Sequence, residues 1–282
     1  MQFGKFNIDV IDTGNFALDG GAMFGVVPKP MWSKAYNQGD ELNRIPLAAR
    51  PLLIRFDNNV ILVDSGNGTK MNEKFQSIYG IDILKSNLAH CLEKFNIKPE
   101  EVTHFIYTHL HFDHAGGSTI ISNGEAQPLF TNAKHYVQQE QFNWALNPKL
   151  KDRASFILND FMPIKDSGLL EFTDGEGEIL KGISVIPVDG HTKAMQMVKL
   201  QDGNNTLLYC ADLSPTSAHI KPPFVLGYDN YPLTTIDEKL KYFYQASDEN
   251  WLLCFEHDAF TQAAYIIENN KSFEIKEKVT IT

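Results

Sequence analysis

The stretch Val102-Thr103-His104-Phe105-Ile106-Tyr107-Thr108-His109-Leu110-His111-Phe112-Asp113-His114-Ala115-Gly116-Gly117 decides how the rest of this chain is read. Its first half, Val102 to Thr108, is β-branched and aromatic and reads as a strand. Residues two apart on a strand share a face, so His109 and His111 can converge on one ion. Asp113 and His114 are adjacent and would diverge on a continuing strand, so the chain must bend there, and Gly116 and Gly117 permit the bend. Bent in this way, the turn can hold two ions side by side, the histidine pair on one and the Asp-His pair on the other. Imidazole and carboxylate donors without cysteine suit zinc, with iron, manganese and cobalt also admissible. The plainer reading is a polar strand end whose histidines bond to backbone. Four donors at this spacing argue against it, because buried His and Asp clusters are costly unless paired or metal-bound.

Outward from that turn, other apolar runs end in potential ligands. Leu52 to Phe56 and Val60 to Asp64 flank Asp57-Asn58-Asn59 as a hairpin, and the second run closes on Asp64-Ser65-Gly66-Asn67-Gly68. Met197 to Gln201 and Thr206 to Asp212 repeat this around Asp202-Gly203-Asn204-Asn205. The repeat is weak, yet it suggests two related halves, each delivering an aspartate to the edge of a sheet. A hairpin expected over residues 169–188 runs into Asp189-Gly190-His191-Thr192, and Trp251 to Phe255 runs into Glu256-His257-Asp258. Asp64, His191, Asp212 and His257 therefore join the candidates, while His104 and His135 read as structural. Helices are expected over 87–95, 138–146 and 236–245. Residues 147–166 read as an irregular cap.

The chain is read as one domain, residues 1–282, with residues 12–50 as an irregular arm. Within the arm, Gly20-Gly21-Ala22-Met23-Phe24-Gly25-Val26-Val27-Pro28 is too irregular for a helix and too apolar for a solvated loop. It reads either as a structural flap that covers core or as an apolar lip on the site, with Met23, Phe24 and Trp32 as pocket candidates. A formal net charge of -10 argues against nucleic acid and anionic membranes as partners. No apolar run reaches transmembrane length and no export signal opens the chain, so a cytoplasmic location is expected. The 3 cysteines, Cys91, Cys210 and Cys254, are isolated among apolar neighbours, which fits a reducing compartment. The apolar arm leaves room for a homodimer.

In chain order these positions give strand-Asp64, His109-x-His111-x-Asp113-His114, Gly190-His191, Asp212 and His257. That order resembles the metallo-β-lactamase fold superfamily across nearly the whole chain. Asp19 to Lys29 together with Pro215 to Ile220 is similar to the branch containing quorum-quenching N-acyl-homoserine lactonases of the YtnP type and related esterases and phosphotriesterases. The resemblance implies an α/β fold, a four-layered αβ/βα sandwich, with two metal ions at one edge. It implies that His109, His111 and His191 hold one ion and Asp113, His114 and His257 the other. Asp212 would bridge them, and Asp64 would orient ligands from behind. Two positions depart from the pattern. Thr192 is followed by Lys193-Ala194 where many relatives have Pro-Gly, and Pro215 stands where several lactonases carry a helper tyrosine. Tyr228, Tyr231 and His219 are the nearby replacements to examine, with His219 also a pocket candidate.

The expected chemistry is hydrolysis by a hydroxide held between two metals, with no serine or cysteine nucleophile. Asp113 and Asp212 are the expected catalytic carboxylates, Asp113 as a proton shuttle. The expected partner is a small lactone or ester with an apolar tail, first of all an N-acyl-homoserine lactone. A phosphotriesterase or carboxylesterase on the same residues, and a non-catalytic metal-binding protein, are the alternatives.

Overall fold

Strands Leu52–Phe56 and Asn59–Val63 pair antiparallel through a tight turn in the computed structural model, which describes all residues, Met1–Thr282. Asp57 sits at φ 50° in that turn, a conformation that Asx residues tolerate better than most. The hairpin lies inside a seven-stranded sheet with the order Gln2–Phe3, Phe6–Val10, Leu52–Phe56, Asn59–Val63, His104–Ile106, Lys134–Gln138, Leu170–Thr173. Pairing is antiparallel up to Asn59–Val63 and parallel beyond it. Parallel strands need both faces covered. On one side Leu53, Leu62, Phe105 and Val137 pack with Leu88, Cys91, Leu92 and Phe142 from the helices Leu88–Glu93 and Gln139–Leu146. Asn87 caps the first of these helices by accepting from the His90 amide.

This sheet and its helices make up the first of two compact units, formed by Met1–Phe16, Ala48–Gly175 and Thr282. The second comprises Ala17–Leu47 and Glu176–Ile281. Its seven-stranded sheet runs Gly177–Leu180, Ile183–Val188, Met195–Asp202, Asn205–Tyr209, Leu252–Cys254, Ala263–Asn269, Ser272–Val279. The long helix Pro232–Asp248 lays Tyr242, Phe243 and Ala246 into a core with Met195, Leu208, Leu253 and Phe273. The weak repeat in the sequence is real in topology. In each sheet the third and fourth strands form a hairpin and the fourth runs parallel to the fifth. The fold is thus mixed α/β, as expected. No helix is long and apolar enough to cross a membrane.

Three local expectations need correction. Residues 169–188 are no hairpin: Leu170–Thr173 pairs in parallel with Lys134–Gln138, and the true hairpin is Gly177–Leu180 with Ile183–Val188. The chain passes from one unit to the other at Gly175 and Glu176, a break that resembles an ordinary turn. The arm, expected to be irregular over 12–50, contains strands Asn15–Asp19 and Arg44–Ala48 and helices Gly20–Phe24 and Lys29–Ala35. These elements are too short for periodicity to show, and only the Asp19 cap on the Ala22 amide marks the first helix. Finally, the bend in the metal turn does not come from Gly116 and Gly117. Regular pairing stops at Ile106, and Phe112–Ala115 is already helical with His111 at its N-cap. The glycines are needed for close approach: a Cβ at Gly116 would lie 2.2 Å from the Asn67 carbonyl oxygen, and one at Gly117 would lie 2.3 Å from that of Ser65.

Candidate metal centre

In the first unit the turn 107–114 gathers around Asp64, which follows the strand Asn59–Val63. The Asp64 carboxylate accepts from the Thr108 amide at 2.7 Å, from the Thr108 hydroxyl at 2.6 Å and faces His114 Nδ1 at 3.0 Å. Asp64 itself sits at φ 60°, a strained conformation for a residue with a Cβ, of the kind that accumulates at functional sites. These bonds fix two imidazole tautomers. The carboxylate can only accept, so a neutral His114 carries its proton on Nδ1 and presents the lone pair of Nε2. Thr108 has spent its one hydroxyl proton on Asp64, so the 3.0 Å contact with His109 Nδ1 is made by the imidazole donating. His109 Nε2 is then a lone-pair nitrogen, 3.0 Å from His111 Nδ1. Phe156 packs edge-on against His111 with ring centroids 4.6 Å apart. All four side chains of the motif are buried.

The second unit repeats this logic with different partners. The strand Ile183–Val188 ends where the amides of Asp189 and Gly190 donate to the Glu238 carboxylate at 2.7 and 3.1 Å. Gly190 is required there, since a Cβ would lie 2.5 Å from the Thr235 backbone nitrogen. His191 Nδ1 donates to Asp229 at 3.0 Å, and Asp229 is held by the Leu226 amide and the Thr235 hydroxyl. The neutral His191 ring therefore presents Nε2 as its lone pair, and this atom is 3.2 Å from Asp212 Oδ2. The other carboxylate oxygen, Oδ1, is 3.4 Å from His257 Nε2. A lone-pair nitrogen facing a carboxylate oxygen is repulsive unless a cation lies with them. His191 Nε2 is such a nitrogen, Asp212 faces an imidazole on each of its oxygens, and this donor set suits metal ions. Ala211, at φ 48°, turns the chain immediately before Asp212.

The two departures from the family pattern have physical counterparts. Ala194 takes φ 53°, the left-handed conformation that a glycine would adopt freely, and its amide donates to Asp189 at 2.9 Å. Pro215 contributes its backbone: its carbonyl accepts from the His257 amide at 3.0 Å. His219 is no substitute for the helper tyrosine. It is fully buried, Nε2 donates to the Met23 carbonyl at 2.8 Å and Nδ1 accepts from the Thr216 hydroxyl at 2.7 Å. Burial, then the Lys239 charge, pulls its pKa down to about 3, so it stays neutral. Phe24 stacks on it at 4.5 Å and Trp32 stacks on Phe24 at 5.5 Å. Met23, Phe24 and Trp32 are also buried; Trp32, Phe24 and His219 form an inward-packed stack, and the Met23 carbonyl ties it to the arm. Tyr228 and Tyr231 lie exposed on the loop before the long helix. His135 is structural as expected: it is buried among Phe105, Tyr107 and Phe130, and burial lowers its pKa to about 4.

Sequence reasoning missed Thr108, Asp229 and Glu238. Thr108 directly precedes His109 and could have been suspected. Asp229 and Glu238 reach the His191 turn from a loop and a helix, 38 and 48 residues away from their partners, and no spacing announces them.

The chain matches the family described as Metallo-beta-lactamase superfamily over residues 46–257. A probable metallo-hydrolase of Mycobacterium tuberculosis is 22% identical over 241 residues, covering 76% of each chain. An N-acyl homoserine lactonase of Bacillus thuringiensis is 25% identical over 177 residues, 62% of this chain and 63% of that protein. Among solved structures, a probable metal-dependent hydrolase from Staphylococcus aureus is 30% identical with a TM-score of 0.89, covering 99% of this chain and 100% of that one. A dizinc quorum-quenching lactonase, AidC, solved with a product, has a TM-score of 0.83 at 18% identity, covering 100% of this chain and 97% of that one. With that family match over residues 46–257, well over half of its length, this chain belongs to the metallo-beta-lactamase superfamily.

Proposed function

We propose that this chain is a dinuclear metal-dependent hydrolase that opens N-acyl-homoserine lactones. The observation that carries the reading is Asp212, whose two oxygens face His191 and His257 separately. In this reading His109, His111 and His191 would hold one ion, Asp113, His114 and His257 would hold the other, and Asp212 would supply a carboxylate to both. Zinc is the preferred metal for this donor set. Two bound ions supply a hydroxide at neutral pH and polarise the scissile carbonyl. The protein's own part is to keep the imidazoles in the right tautomer, through Asp64, Thr108 and Asp229, and to hold Asp113 where it can pass a proton to the departing alkoxide.

The substrate class is supported by a cavity of about 290 Å³ in the first unit. Met71, Phe75, Tyr79, Phe112 and Ile157 give it an apolar wall, and Phe112 stands between His111 and Asp113 in the sequence. Such a wall suits the hydrocarbon tail of an acyl group. Ring opening releases a proton, so a pH-indicator assay over lactones of graded acyl length reads the activity directly. The expected result is turnover rising with tail length and exceeding that of a diethyl aryl phosphotriester at least tenfold. Rapid phosphotriester cleavage with no lactone rate above background would transfer the site to the phosphotriesterase reading, and ester cleavage alone to the carboxylesterase one.

A further inference from the structure

The turn Asp64-Ser65-Gly66-Asn67-Gly68 buries a side chain that nothing in the chain answers. Asn67 is 2% exposed, and neither its Oδ1 nor its Nδ2 has a hydrogen-bond partner. Interiors rarely leave a carboxamide in that state, because it forfeits both its donor and its acceptor bonds to water. Its backbone cannot shift to find a partner: the Asn67 carbonyl is wedged against Gly116, and Gly68 behind it sits at φ 67° with its own Cβ position blocked by the Gly116 carbonyl. Asn67 lines the cavity whose wall is otherwise formed largely by Met71, Phe75, Tyr79, Phe112 and Ile157. Two other polar residues of that lining are engaged elsewhere. Lys70 pairs with Asp160 at 3.0 Å and donates to the carbonyls of Gly116 and Thr119, and the Asn72 side chain caps the helix Glu73–Tyr79.

A carboxamide is at once donor and acceptor, and its natural complement is a second amide. We propose that Asn67 determines specificity in this cavity by hydrogen-bonding the secondary amide of an acylamino substrate, its Oδ1 accepting from the amide N–H. The apolar wall then receives the tail beyond the amide. Tyr79 stacks on Phe112 at 5.2 Å in the same wall; burial, then the charge of Asp113, weakens the acidity of its phenol, which stays protonated. The assignment rests on the lactone-hydrolase reading and narrows it, because an alkyl lactone without the amide leaves Asn67 unanswered and is bound less well.

The test compares wild type with Asn67→Ala, each as the metal-loaded enzyme, in two arms. In the kinetic arm the substrates are N-hexanoyl-homoserine lactone and γ-decanolactone. Asn67→Ala is expected to raise KM for the acylamino lactone about tenfold, with kcat within about twofold, and to leave the alkyl lactone unchanged. Equal effects on the two lactones, as a purely structural role or an ordered water would give, overturn the assignment. In the binding arm the probe is N-cyclopentylhexanamide, which has the amide and tail but no ester, with its N-methyl derivative as a control lacking the N–H. Calorimetry should show wild type preferring the secondary amide about tenfold, and the variant losing that preference. Wild type that binds both alike, or neither, also overturns it. Asn67→Leu keeps much of the volume and loses both polar atoms, so it supplies the same comparison if the alanine variant does not fold. A wild type that opens neither lactone defeats the functional reading, while the binding arm still decides the role of Asn67.

Discussion

Replacing Asp212 by alanine will lower kcat/KM for an acyl-homoserine lactone on the order of 10³-fold, the equivalent of about 4 kcal/mol of transition-state stabilisation. The size follows from what this one side chain faces. Its oxygens lie 3.2 and 3.4 Å from His191 Nε2 and His257 Nε2. Removing it leaves each of the two imidazoles without the anion that balances the ion it is proposed to hold. Asp212→Asn keeps the volume but not the charge and should fall nearly as far, which separates electrostatics from packing. Circular dichroism and thermal melting check that the variants remain folded. Activity within tenfold of wild type in a folded variant would mean that the carboxylate does not bridge the reacting centre.

Stripping metal from the wild-type protein with a chelator should have the second large effect, on stability as well as turnover. The candidate ligands are buried, and the His191 tautomer is held with its lone pair turned toward the Asp212 carboxylate, an arrangement that favours the unfolded chain unless cations are present. A ligand present at a thousand times its dissociation constant contributes about 4 kcal/mol to folding. For a chain of this size that corresponds to a fall in Tm on the order of 10 °C on metal removal. Zinc in slight excess should restore both Tm and lactone turnover. A melting curve indifferent to chelator would instead place the stability of these clusters in ordinary ion pairs.

Much of this site was legible in the sequence, because ligands of this kind sit at strand ends, where short local patterns carry the information. The run His109 to His114, the apolar strand closing on Asp64, and Gly190-His191 each combine a chemical signal with a structural one within a few residues. The repeat of hairpins that ends at Asp64 and Asp212 was visible as pattern and proved to be shared sheet topology. What stayed hidden depends on distance. Asp229 bonds to His191 from a loop 38 residues away, and its neighbours Tyr228 and Asn230 say nothing of it. The arm left two readings open, a flap over core and a lip on the site, because Met23, Phe24 and Trp32 looked apolar and unassigned. Burial favours the flap: Trp32, Phe24 and His219 form an internal stack, and the Met23 carbonyl bonds to His219 from 196 residues away. The last two strands, Ala263–Asn269 and Ser272–Val279, escaped notice because their outer face is charged and alternation is broken by a register shift between Tyr265 and Ile266. Asn67 was read simply as a turn residue, and only its burial without partners gives it a further meaning.

The proposed assignment of His109 and His191 to one ion is tested most directly by metal counting in a double variant. Plasma mass spectrometry should find two divalent ions per chain in the wild type, and one in either His109→Ala or His191→Ala. Because the account assigns both histidines to the same ion, the double variant His109→Ala/His191→Ala should still retain one. Additive loss, with none left in the double variant, would show that the two histidines serve separate ions. A wild type that turns over lactone with no metal bound would contradict the account altogether.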